Sequence, residues 1–224
     1  MTQNFSLRAR AASCSLVIAS SSFGCGGADA PSGPPFKQAE YPSTVVSHTV
    51  GAGGGYNEAK LPGIVLGPPH GGGCCNSSSN VYSLGEGGEI VLEFAAPIVD
   101  GPGVDLLVFE NPFRVGADPA NVFAELGEVS VSDDGVNWQV FPCTATPVPP
   151  YGNCAGWHVV YATTASGVNA DDPASAGGDP FDLADLGVKQ ARFVRIRDAH
   201  TKVPACCGTA GFDLAGVAAI HWAE

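Results

Sequence analysis

No stretch of the 224-residue chain keeps a helical period long enough for an amphipathic helix. Between Thr44 and Trp222 the apolar residues come in short runs, each closed by Gly, Pro, Asn or Asp. A chain patterned this way must build its core by pairing strands. The runs are TVVSHTV (44–50), YSLGEGGEIVLEF (82–94), VDLLVFEN (104–111), VSVSDDGVNWQVF (129–141), HVVYATT (158–164), ARFVRIRD (191–198) and AGFDLAGVAAIHW (210–222). YSLGEGGEIVLEF reads as a hairpin turning at 85–88, and the apolar centre of VDLLVFEN reads as a buried strand. Residues 118–125 read as a short helix or an irregular loop. Gly 30 and Pro 18 supply the punctuation. The expected fold is all-β: a jelly-roll-type antiparallel β-sandwich of about eight to ten strands.

VSVSDDGVNWQVF carries its own turn chemistry. Gly135 accepts a positive φ, Asp133 or Asp134 bonds the turn backbone, and Trp138 packs back on the sheet. This hairpin, followed some fifty residues later by ARFVRIRD, resembles the discoidin family, the galactose-binding-like C-type domains of coagulation factors. There a Ser-x-Asp-Gly-x-x-Trp hairpin precedes an Ala-Arg-Tyr-Val-Arg-Ile strand. YSLGEGGEIVLEF resembles that family's early Leu-Gly strand. LGPPHGGGCC stands where the family has Asp-Gly…Thr-x-Trp. VDLLVFENPF, GGDPFDLADLG and GFDLAGVAAI look like phrases of bacterial cell-surface lipoproteins built on the same sandwich. The resemblance implies a jelly-roll β-sandwich and supplies little about function.

The N-terminus reads as an address. Arg8 and Arg10 precede a short apolar run, Ala11–Ala19, and SSFGCGG follows. That run is too short to span a bilayer. The segment resembles a lipoprotein signal over 1–24, with Cys25 as the lipidated residue. The expectation is export to the outer membrane or cell surface, the lipid being the only membrane contact, with plain secretion as the alternative. Residues 25–43, rich in Pro, Ala and Ser, read as a flexible tether, leaving 44–224 as the domain. Net charge is −12, from 10 Lys+Arg against 22 Asp+Glu. That balance repels a phosphate backbone, so nucleic acid is not an expected partner.

Export also favours disulfides. Cys143 and Cys154 enclose the turn-rich TATPVPPYGN and are natural partners. The doublets Cys74-Cys75 and Cys206-Cys207 are expected to cross-pair, because vicinal closure strains the peptide. The rival is a zinc site of these four thiolates with His70 or His200, but adjacent cysteines lack converging C-x2-C spacing. Cross-pairing would staple an early loop to a late one, much as discoidin domains join their ends.

The loop DDPASAGGDPFDLADLG (171–187) gathers five Asp around Gly177-Gly178 with no base inside it. Calcium takes six to eight oxygens, so Asp179, Asp182 and Asp185 are candidate calcium ligands. Glu110, Asn111 and Asp213 are candidates to complete the set. The competing role is local: Asp182 and Asp185 capping a short turn, Asp179 bonding turn amides. No G-x-S-x-G or H-E-x-x-H motif is present, and no residue is assigned a catalytic role. Tyr151 and Trp157 flank Cys154, so a bridge to Cys143 would present them as a pair able to stack on a sugar. The expected function is a non-catalytic lipoprotein that binds a glycan or another extracellular ligand, with calcium as a cofactor. The alternative is a structural or adhesive envelope lipoprotein, and a carbohydrate-active enzyme stands a distant third.

Overall fold

The computed structural model describes residues 41–70, 78–116, 121–146, 149–203 and 211–224. The expected signal at 1–24, the lipidation site Cys25, the tether up to residue 40 and both cysteine doublets lie outside them. Twelve strands are described: β1 (Pro42–Thr49), β2 (Tyr82–Ser83), β3 (Glu89–Val99), β4 (Leu106–Phe109), β5 (Phe113–Arg114), β6 (Val122–Ser132), β7 (Gln139–Val140), β8 (Cys154–Ala155), β9 (Asp179–Phe181), β10 (Gln190–Val203), β11 (Asp213–Leu214) and β12 (Gly216–Ala219). Described strand pairings are antiparallel. Among the described residues no helix is long and apolar enough to cross a membrane.

The larger sheet runs β1-β3-β10-β6-β5, with β7 and β8 also paired to β6. The smaller runs β12-β4-β9, and β11 pairs with β2 separately. One apolar core joins the layers: Ile90, Leu92, Phe94, Val129, Val131, Val194 and Ile196 from the large sheet meet Leu106, Val108 and Val217 from the small one. Each such side chain contributes about 1.5–3 kcal/mol of burial. This is the all-β sandwich that the strand pattern predicts. β4 is buried on both faces, because Leu107 and Phe109 pack outward against Val160, Ala162 and Ala176 of a covering loop.

The polar face of the large sheet explains the alternation in ARFVRIRD. Val194 and Ile196 point inward while Arg195 and Arg197 point out. Arg197 meets Glu89 at 2.7 Å, and Arg195 lies over the Trp138 ring at 4.4 Å. The hairpin forms as expected, with Ser130 opposite Val140. Asp134, not Asp133, ties its turn by accepting the N–H groups of Val136 and Asn137, both at 2.8 Å. Gly135 takes φ 73° there.

Several expectations are corrected. YSLGEGGEIVLEF is not a hairpin: β2 pairs with β11, β3 with β1 and β10. Residues 84–88 instead carry the chain between layers, held by Gly51 N–H on the Leu84 carbonyl and a bridge of Ala52 to Glu86. The region 118–125 is strand from Val122 onward, because Phe123 and Ala124 bury their side chains. HVVYATT forms no ladder; Tyr161 and Ala162 both donate to the Ala176 carbonyl. β1 starts at Pro42 with Tyr41 already buried, inside the stretch expected as tether.

Candidate functional site

The Cys143–Cys154 disulfide forms, as its turn-rich loop suggests. Cys154 is fixed by β8, whose partner is β6. Gly156 then brings the backbone so close to β6 that an added Cβ would lie 2.0 Å from the Glu125 carbonyl oxygen, at φ +97°. Only glycine fits there. Trp157 follows at once and donates its indole N–H to the Cys154 carbonyl at 3.0 Å. Its ring meets Tyr151 edge-on at 5.4 Å. The two candidate aromatics are thus brought together, over Ala124 and Leu126 of β6. Tyr151 is buried, so Trp157 is the more accessible of the pair.

These aromatics wall a cavity of about 730 Å³ with Arg114, Asn121, His158 and Tyr161. β5 places Arg114 opposite Val122, and Phe113 stacks on Phe123 beside it at 5.0 Å. Arg114 donates to the Tyr161 hydroxyl at 3.0 Å. Tyr161 is 40% exposed. His158 packs at a tilt of 37° against Trp157, 3.7 Å between ring centroids. Sequence reasoning missed Arg114, His158 and Tyr161. His158 and Tyr161 share the loop 156–162 with Trp157, while Arg114 comes from β5, and its bond to Tyr161 brings the two segments to one rim.

Asp179 supports this wall from behind, through Gly156 and His158. It is buried on β9 and accepts from Gly156 N–H at 2.7 Å, from His158 N–H at 3.2 Å and from the His158 ring at 2.8 Å. Burial pushes its carboxyl above the usual range, and the bonds from His158 and Gly156 pull it back. Asp182 caps the short turn Leu183–Leu186 by accepting Ala184 N–H at 2.8 Å. It lies near Asp100 and Asp105, where Lys189 sits 2.5 Å from Asp100 and His221 sits 2.9 Å from Asp105.

The six metal candidates therefore separate. Glu110 and Asp213 come together, joined by Glu125, which the sequence reading did not single out. Asn111 is beside them but serves as support. Its carbonyl accepts Ser78 N–H at 2.6 Å, and its side chain bonds Asp213. Asp179 and Asp185 join neither acidic cluster among the described residues. The acidic loop is split because β9 turns Asp179 inward beside His158 while Asp182 faces the next turn.

No family model and no curated protein matches the chain. Among solved structures it is similar to a pectin-binding carbohydrate-binding module in a monoclinic crystal form. Identity is 12%, covering 81% of this chain and 94% of that one, at TM-score 0.38. It is also similar to the CBM32 of AlyQ in complex with 4,5-unsaturated mannuronic acid. Identity is 14%, covering 81% of this chain and 98% of that one, at TM-score 0.35.

Proposed function

We propose that this chain is a non-catalytic, surface-anchored protein that binds carbohydrate in the cavity walled by Arg114, Tyr151, Trp157, His158 and Tyr161. The observation that carries this reading is the mixture on that wall: aromatic rings beside groups that donate and accept hydrogen bonds. A sugar ring has the matching make-up, with C–H faces for an aromatic surface and hydroxyls at its edge. The cavity volume of about 730 Å³ falls within the usual range for small-molecule sites, roughly 300–1,000 Å³.

Binding rather than cleavage fits the lining. Glycoside hydrolysis uses two carboxyl groups flanking the scissile bond. The nearby carboxylate of Asp179 is committed to Gly156 and His158. The signal at 1–24 and lipidation at Cys25 belong to the same proposal and would hold the domain at the cell surface. Calcium belongs to it as a structural cofactor, a hard cation suited to an exported, acid-rich domain. The test is a binding screen of the chain against a panel of glycans and polysaccharides, with calcium and with chelator. Binding of at least one glycan, competed by its own fragments, is the expected result. No binding across the panel in either condition would contradict it.

A further inference from the structure

Three carboxylates converge where the two layers meet. Glu110 follows β4, Glu125 lies in β6, and Asp213 opens β11. One oxygen from each lies within 4.8 Å of the other two. Glu110 and Glu125 are each 3% exposed. Donors reach part of the group: Asp213 N–H meets Glu110 Oε1 at 3.1 Å, Gly211 N–H meets Glu125 Oε1 at 3.0 Å, and the Ser83 hydroxyl donates to Asp213.

The set is not closed by these donors. Among the described residues, Glu110 Oε2 is buried and has no hydrogen-bond partner. An ionised carboxylate oxygen left so is costly, and two neighbouring acids make it more so. Burial first, then the charges of Asp213 and Glu125, push the Glu110 carboxyl well above the usual range. The Asp100–Asp105–Asp182 group differs, because Lys189, His221 and the Leu183 N–H already bond its members.

We propose that Glu110, Glu125 and Asp213 bind a divalent cation of the calcium class, which pins β4, β6 and β11 together. The cluster's ligand atoms are oxygens, with neither imidazole nor thiolate among them, which selects a hard cation. Magnesium keeps several waters, whereas calcium accepts carboxylates and carbonyls at variable angles and suits a buried group better. This assignment rests on the calcium part of the functional reading and is independent of its glycan part.

The experiment is thermal melting of the full chain in calcium against chelator, without glycan, for wild type, Glu110→Gln and Asp182→Asn. At a hundred times the dissociation constant, wild type should melt roughly 5–10 °C higher with calcium. Glu110→Gln should lose most of that shift, and in chelator it should melt no lower than wild type, since it removes a buried repulsion. Asp182→Asn should keep the shift. Equilibrium dialysis of wild type against labelled calcium supplies a readout that does not depend on variants folding, with one tightly held ion expected. A calcium shift that survives in Glu110→Gln overturns this site while leaving calcium binding standing. No shift and no bound ion in wild type overturns both.

Discussion

The ring of His158 lies 2.8 Å from the buried carboxylate of Asp179, so the cavity wall and the small sheet share one hydrogen-bonded joint. The same carboxylate accepts two backbone N–H groups, from Gly156 and His158. β9 thereby sets the height of the loop that carries Trp157. Asp179→Ala strips three donors of their acceptor, and the expected loss is roughly 2–4 kcal/mol. Chemical denaturation measures it. Weaker glycan binding should accompany the loss, because the wall is no longer held.

The disulfide closes the loop on which Tyr151 sits, and its partner element β8 is bound to β6. Chain entropy assigns a loop of this length roughly 3 kcal/mol. Cys143→Ser with Cys154→Ser should therefore lower the melting temperature by about 6–12 °C. Melting of the double variant beside reduced and oxidised wild type gives the comparison. An unchanged melting temperature would make the bridge incidental.

Asp134 gives the hairpin a pH dependence of known sign. Bonds from Asn137 N–H, then Val136 N–H, then the Asn137 and Ser132 side chains hold its carboxyl far below its usual value of 3.8. A depressed folded value means the stabilisation is present above the unfolded value and is lost as pH falls through the folded one. Asp134→Ala should thus be less stable than wild type at pH 7. The gap should narrow progressively below pH ~4. Denaturation curves at pH 7 and in the acid range test this, and a gap that widens on acidification would contradict it.

The strands that could be read were those whose pattern is local. VSVSDDGVNWQVF contains both partners and its turn, and VDLLVFEN is apolar on both faces because β4 has packing on both sides. YSLGEGGEIVLEF misleads because its glycines mark a turn without saying which strand comes next. The Leu84 N–H bonds Phe212, more than a hundred residues away. The site divides the same way. Tyr151 and Trp157 were legible through the cysteines between and beside them. Arg114 was not, since contact between distant segments places it, and His158 and Tyr161 were not, since HVVYATT reads as a strand but forms the loop beside Trp157. Glu125 was hidden in a stretch read as helix or loop, and only its position on β6 shows it facing Glu110.

Calorimetric titration of a glycan from the screen into wild type, Trp157→Ala and Tyr161→Ala tests the cavity assignment most directly. Tyr161 is 40% exposed, so its truncation leaves the core intact. Val136→Ala, at an exposed hairpin position away from the cavity, is the control. Removing an aromatic anchor costs about 1–3 kcal/mol, so each cavity variant should bind about 5- to 150-fold more weakly while the control is unchanged. Equal affinity in wild type and both cavity variants would place the sugar elsewhere and contradict the account.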